Sequence, residues 1–250
     1  MTDLAGRIAL ITGGSRGIGR AIAQDLAEAG ADVVIASRKV DACELAAAEI
    51  SASTGRRALA VGCHVGRWDD LGALVDRVYG ELGRCDILVN NAGMSPTYSD
   101  LASVGEDLYD KVHAVNARGP FRLGSLIGPR MAAGDGGSII NISSVASLRP
   151  TAGELPYAMA KASLNALSLA LAAAWAPKVR SNLVLPGPFD TEIAQAWPPE
   201  VRAALTEENP MGRLGLPSDV AGVCTFLAGS GSAYVNGAQI LVDGGAYRSL

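Results

Sequence analysis

Tyr157 and Lys161 stand four positions apart in YAMAK, the segment 157–161. On a helix, side chains at that spacing lie one above the other on a single face, which would put the Lys161 ammonium beside the Tyr157 phenol. A neighbouring cation favours phenolate, and a phenol that ordinarily titrates at about pH 10 needs such help to exchange protons near neutrality. The same spacing also arises in helices where the tyrosine simply packs and the lysine is solvated, so other residues must decide between the two readings.

A second candidate lies near the N-terminus, where an apolar run is followed by TGGSRGIG (12–19) and then the helical pattern AIAQDLAEAG (21–30). Glycines there let the backbone turn sharply and approach a pyrophosphate, which would face the free N–H groups of a helix N-terminus. Gly13, Gly17 and Gly19 form GxxxGxG rather than the usual GxGxxG. The order strand, turn, helix still points to a dinucleotide phosphate site involving Gly13, Ser15, Arg16, Gly17, Ile18 and Gly19; a glycine-rich turn without a ligand is the plainer reading. The next apolar run ends in ASRK (36–39), where an NAD enzyme usually offers an acid to the ribose hydroxyls. Ser37 and Arg38 stand there instead. With Arg16 they would bracket a 2'-phosphate by charge-assisted hydrogen bonds, which predicts NADP(H) over NAD(H), unless both arginines serve only solubility.

The elements that must position these residues are short apolar runs at 8–11, 33–36, 58–61, 87–89, 138–142, 182–185 and 239–242, separated by stretches of helical periodicity. Continuous rather than alternating apolar strands are covered on both faces. This predicts an α/β fold, a doubly wound Rossmann-type domain over 1–250 with a parallel sheet of about seven strands and ligands at the carboxyl ends of the strands. One stretch, 190–215, breaks the alternation and carries its own short helical pattern. It reads as a substrate lid, or else as a tolerated surface loop.

Composition narrows the function classes. Of 250 residues 49% are hydrophobic and 18% charged, so the chain supports a large core and is not a solvating or disordered protein. Net charge is -4, with no basic stripe for nucleic acid. The four cysteines form no CxxC pair and the two histidines fall in no metal-ligand spacing. Reduced thiols, no signal-peptide pattern at MTDLAGR and no membrane-length apolar run predict a cytoplasmic protein that works on a small molecule.

Taken together, TGGSRGIG at 12, NNAG at 90–93, Asn116, NISS at 141–144, YAMAK at 157 and PGPFDT at 186–191 resemble the short-chain dehydrogenase/reductase family over essentially the whole chain. The resemblance implies Tyr157 as general acid/base, Lys161 as its electrostatic activator, Ser144 as donor to the substrate oxygen and Asn116 as a proton-relay residue. The physics supports each role. Lys161, an oxidised nicotinamide and the helix N-terminal dipole, if Pro156 opens the helix, would all push the Tyr157 pKa downward. Ser144 would meet the substrate oxygen from the other side. Ser143 competes for that role, and strand alternation sends the two hydroxyls in opposite directions. Asn116 would hold a water near Lys161, or else be a satisfied core amide.

The family pattern further implies that Thr191, with the backbone at Pro186, Gly187 and Phe189, holds the nicotinamide carboxamide, and that Asn91, Ala92 and Gly93 wall the ribose. Where the family often has an Asp for the adenine amine this chain has His64, so the following Val65 backbone is the surer contact. Candidate substrate walls are Met94, Ser95, Tyr98, Leu148, Phe189, Ile193 and Trp197, a set suited to a neutral or moderately polar ketone or alcohol. The motifs most resemble 3-oxoacyl-carrier-protein reductases and sugar-acid or polyol dehydrogenases. Asp135 in the loop before the fifth strand argues against an acidic carrier protein, whereas Lys178 and Arg180 argue for one. A catalytically silent NADP(H) sensor is a different class of reading, set against four filled catalytic positions. Small residues around 157–176 leave a face for another subunit, and the resemblance implies a homo-oligomer, most often a tetramer.

Overall fold

The computed structural model describes residues 2–192 and 194–247. Its centre is a seven-stranded, wholly parallel sheet in the order β3-β2-β1-β4-β5-β6-β7. The strands are β1 (Ile8–Thr12), β2 (Asp32–Ser37), β3 (Ala58–Gly62), β4 (Ile87–Asn90), β5 (Gly137–Ile142), β6 (Val179–Pro186) and β7 (Gln239–Val242). All seven apolar runs of the sequence are therefore strands. The inner strands are buried along most of their length, with part-exposed residues such as Asp32, Ser37 and Arg180 near their ends, whereas most residues of the edge strands β3 and β7 are part-exposed or exposed.

Helices cover both faces: α1 (Gly17–Glu28), α2 (Val40–Thr54), α3 (Trp68–Leu82), α4 (Glu106–His113), α5 (Gly119–Ala133), α6 (Leu155–Ala174), α7 (Pro199–Glu207) and α8 (Pro217–Ala228). Because successive strand side chains point to opposite faces, one set of strand residues feeds each core. Ala9, Ile11, Val33 and Ile35 pack with Ile22 and Leu26 of α1, Ile50 of α2 and Cys224 of α8. Ile8, Leu10 and Val34 pack with Leu74 and Val78 of α3 and Ile127 of α5. α1, α2 and α8 pack on the first of these layers and α3 and α5 on the second.

Three local features aim side chains at the carboxyl ends of the strands. A single wide π turn, Ala114–Arg118, joins α4 to α5 and carries Asn116. Pro156 lies in the first turn of α6, where a missing N–H is harmless, so Tyr157 and Lys161 begin that helix close to the end of β5. The stretch 190–215 leaves and rejoins the chain at one neck, where Asp190 N–H donates to Gly215 C=O at 2.7 Å and Gly215 N–H donates to Pro188 C=O at 3.0 Å.

Candidate active site

The glycine loop is locked from beneath by side chains. The Thr12 hydroxyl donates to Val89 C=O and accepts the N–H groups of Asn91 and Ala92, each at 3.1 Å. The Asn91 amide returns the contact by donating to Thr12 C=O at 2.9 Å and Gly13 C=O at 3.3 Å. Gly13 and Gly17 have φ of 65° and 53°, which side-chain-bearing residues rarely adopt. A Cβ on Gly19 would overlap both Gly13 C=O and the Asn91 amide. Among the described residues no side chain caps the α1 N-terminus. The turn is thus open, backbone-lined and fitted to an anion at the α1 N-terminus. Ile18 packs on the core beneath it, and Thr191 reaches to within 3.8 Å of where a Gly17 Cβ would stand.

Beside this loop, Ser15 and Ser37 share a hydrogen bond of 3.0 Å, and Ser37 also touches the Cys43 thiol at 3.1 Å. Arg38 is exposed and has no ion pair among the described residues. His64 folds back on its own loop: its Nδ1 accepts Gly66 N–H at 3.1 Å and its backbone N–H donates to Asp70 at 3.2 Å. Val65 next to it is buried.

Tyr157, Lys161, Ser144, Asn116 and Gly93 converge at the other end of the groove. A Cβ on Gly93 would lie 3.0 Å from Asn116 Oδ1 and 3.6 Å from Lys161 Nζ. Lys161 is 3% exposed, donates to Ile142 C=O at 2.7 Å and holds its Nζ 5.7 Å from the centre of the Tyr157 ring. Ser144 accepts Ala146 N–H at 3.2 Å, and its hydroxyl acts on the neighbouring Tyr157 phenol to favour the phenolate. Ser143 points the other way and is bonded to Asn165 at 2.6 Å in the core. Strand alternation thus leaves only Ser144 facing the groove.

The family profile described as enoyl-(acyl carrier protein) reductase matches residues 13–247. The human protein named dehydrogenase/reductase SDR family member 4 is 35% identical over 99% of this chain and 90% of its own length. The chain belongs to the short-chain dehydrogenase/reductase family. It is accordingly an NAD(P)-dependent oxidoreductase acting on alcohol and ketone groups. Among this family, an L-rhamnose 1-dehydrogenase (NAD(P)+) of Azotobacter vinelandii is 39% identical and covers 99% of both chains. A protein of Beutenbergia cavernae assigned as an NAD(P)-dependent gluconate 5-dehydrogenase, solved with NADP bound at low occupancy, matches with 34% identity, a TM-score of 0.92 and 98% coverage of both chains.

Within this short-chain dehydrogenase/reductase fold, several sequence expectations change. The phenol is not lowered before a cofactor arrives: burial pushes Tyr157 up to about 12, Ser144 opposes this and the Glu154 carboxylate adds to it. Burial also brings Lys161 down to about 7, so the cation expected to activate the phenol is itself weakened. Both amide hydrogens of Asn116 are committed, to Met94 C=O at 2.8 Å and Val112 C=O at 2.9 Å, and its Oδ1 accepts Met94 N–H at 3.2 Å, so the side chain ties α4 to the backbone after NNAG. Arg16 forms an ion pair with Glu192 at 2.5 Å. Phe189 is buried against Gly215 and is core rather than a substrate wall. Ile193 lies outside the described residues.

Asp135, Lys178 and Arg180 sit at the amino ends of β5 and β6, away from the site, because a loop that precedes a parallel strand lies opposite the loop that follows it. Arg180 is engaged by the carbonyls of Leu227 and Val235, and Lys178 by that of Gly134. Three site features had no signal at the sequence level: the Thr12 hinge, the Glu192 counter-ion and Glu154. Only the packing of distant segments brings them together.

Proposed function

We propose that the chain moves a hydride between NADP(H) and a secondary alcohol or its ketone, with Tyr157 passing the proton. The reading is supported by the convergence of Ser144, Tyr157 and Lys161 at the carboxyl end of β5, beside a glycine cradle in which a Cβ would not fit. Gly13, Ser15, Gly17, Ile18 and Gly19 would hold the pyrophosphate and Asn91, Ala92 and Gly93 the neighbouring ribose. Val65 would take the adenine, while the Gly187 backbone and Thr191 would take the carboxamide. The bound nicotinamide supplies or accepts the hydride.

Ser144 donates a hydrogen bond to the substrate oxygen and Tyr157 gives or takes its proton. Lys161 stabilises the phenolate as charge develops, with Asn116 and Ile142 fixing the surroundings of its ammonium. The segment 190–215 serves as a lid, supported by the pinched neck at Asp190 and Gly215. Preference for NADP(H) is supported by exposed, unpaired Arg38 and the lack of an acid at the tip of β2. Assembly into a homo-oligomer, with the tetramer favoured, is supported by exposed Met159 and Leu169 on α6, at 43% and 47% exposure. A carrier-protein substrate loses the support that Lys178 and Arg180 lent it.

The test is turnover with NADPH and NADH across a carbonyl panel of diketones, sugars, sugar acids and acyl thioesters. NADPH should be preferred, and Tyr157→Phe should abolish turnover with cofactor affinity retained. Arg38→Asp should shift the preference toward NADH. Turnover by Tyr157→Phe would remove the phenol from the mechanism, and an unchanged cofactor ratio would remove Arg38 from recognition.

A further inference from the structure

Asn165 lies in the middle of α6, two turns beyond Tyr157 and one beyond Lys161 on the same face, at intervals of four residues. It is 8% exposed, and a buried amide is tolerated in an apolar helix face where its polar atoms are satisfied. Its Oδ1 accepts the Ser143 hydroxyl at 2.6 Å, and its Nδ2 donates to the Ser147 hydroxyl at 2.8 Å. One side chain of the helix therefore grips the chain just before and just after Ser144.

The two arms of the amide end differently. The Ser143 arm closes in the core, where that hydroxyl also lies 3.4 Å from Lys161 C=O. The Ser147 arm continues. A hydroxyl has one hydrogen to give, and because Ser147 accepts from Asn165, that hydrogen is left for Ser144 C=O, which takes it at 2.6 Å. The same carbonyl accepts Ser147 N–H at 3.1 Å. Consecutive hydrogen bonds in a buried chain polarise and strengthen one another. Local backbone explains why such a strut is needed: Ser144 caps a single 3-10 turn, Val145–Ser147, a conformation whose own hydrogen bonds have poor geometry. Along one stripe of α6, Lys161 Nζ meets Ile142 C=O at 2.7 Å, and Asn165 meets Ser143 and, through Ser147, Ser144. Tyr157 is the third member of that stripe, so the helix bearing the phenol and the ammonium is tied directly to the turn bearing Ser144.

We propose that Asn165 is a positioning residue for hydride transfer: acting through Ser147, it holds the Ser144 backbone at a fixed place relative to Tyr157, so that both hydroxyls address one substrate oxygen. The proposal rests on the hydride-transfer reading above and deepens it. Asn165 acts on Ser144 alone and adds no chemical step.

The experiment measures kcat and KM, for the panel carbonyl that the wild type turns over fastest, in Asn165→Ala, Ser147→Ala, Ser144→Ala, Tyr157→Phe and the doubles that combine Ser144→Ala with each of the first two. Cofactor Kd by protein fluorescence and the melting temperature report folding. Asn165→Ala and Ser147→Ala should each lower kcat about 10–10²-fold, with KM and cofactor Kd within about threefold of the wild type, because a misplaced donor is lost to the transition state rather than to binding. In the Ser144→Ala background the same changes should cost under about threefold, since the group they position is gone. If Asn165→Ala does not fold, Ser147→Ala carries the comparison alone. An equal further loss in the Ser144→Ala background, a lower melting temperature with kcat intact, or a loss confined to KM would overturn the assignment and leave hydride transfer standing. So would full turnover by Ser144→Ala beside an inactive Tyr157→Phe. Silence of the wild type across the whole panel with both cofactors would instead sink the hydride-transfer reading and this inference with it.

Discussion

Replacing Lys161 with methionine separates what this residue does for the reaction from what it does to the fold. Its ammonium is buried with a single carbonyl partner, and burial takes it from an ordinary 10.5 to about 7. A lysine with a depressed folded pKa opposes folding fully below about pH 7, and the cost fades as pH rises toward 10.5, because only the unfolded chain still binds the proton in that window. At 1.36 kcal/mol per pH unit, the cost is about 4 kcal/mol at pH 7 and about 2 kcal/mol at pH 9. Methionine has similar length and no charge. It leaves Ile142 C=O without its donor, a cost of about 1–3 kcal/mol that does not depend on pH.

The inactive Lys161→Met variant should therefore be more stable than the wild type at pH 7, by roughly 1–3 kcal/mol, and its advantage should shrink by about 2 kcal/mol at pH 9. Urea denaturation at pH 7, 8 and 9, at one protein concentration and with unchanged m-values, reads this directly. A difference between Lys161→Met and the wild type that stays constant from pH 7 to 9 would mean that the lysine remains charged in the fold, and the reasoning would be wrong.

Ser144→Ala should lower kcat by about 10²–10³ with little effect on stability, since it removes a donor aimed at the substrate oxygen. Ser143→Ala should do the reverse, losing about 1–3 kcal/mol because Asn165 is left short of a buried partner, with kcat near that of the wild type. Activity and melting curves of the two variants check the pair, and equal loss of kcat in both would refute the assignment by strand alternation. Glu192→Gln should release Arg16 and tighten NADPH a few-fold at low salt with little change for NADH. Titration of both cofactors tests this, and tightening of NADH alone would place Arg16 elsewhere.

The fold was legible because its signals are local. Each strand contains a run of apolar residues, most of them ended by Gly, Asn, Asp or Pro and those of β2 and β5 by Ser, and glycines fall where a positive φ or close backbone approach is needed. The proposed catalytic end is legible by spacing, since the extended chain just after β5 and helical stacking on α6 bring Ser144, Tyr157 and Lys161 together. What was not legible depends on distance. Arg16 reads as free for a phosphate until the segment after β6 brings Glu192 against it. Phe189 reads as a pocket wall until Gly215 closes the neck over it. Basic charge at Lys178 and Arg180 reads as lying near the site until the parallel topology sends the amino ends of β5 and β6 to the far side of the sheet. Burial is the largest of these non-local effects, since it reverses the expected pKa direction at Tyr157 and brings Lys161 close to neutrality.

The groove is bridged near its phosphate end by one exposed ion pair, Arg16 with Glu192, which joins the glycine loop to the root of the segment 190–215. Exposed pairs of this kind contribute about 0–1 kcal/mol, so exchanging Glu192 for a phosphate on Arg16 requires little energy. The neck at Asp190 and Gly215 is held by backbone hydrogen bonds, and Phe189 is packed behind it. The segment is thus tied on one side by a weak exposed ion pair and on the other by backbone hydrogen bonds, with Thr191 near Gly17 at its base. On the NADP(H) reading proposed above, an incoming phosphate would replace the Glu192 carboxylate on the Arg16 guanidinium, beside the glycine loop at the α1 N-terminus, and so would gain a cation without breaking a strong pair.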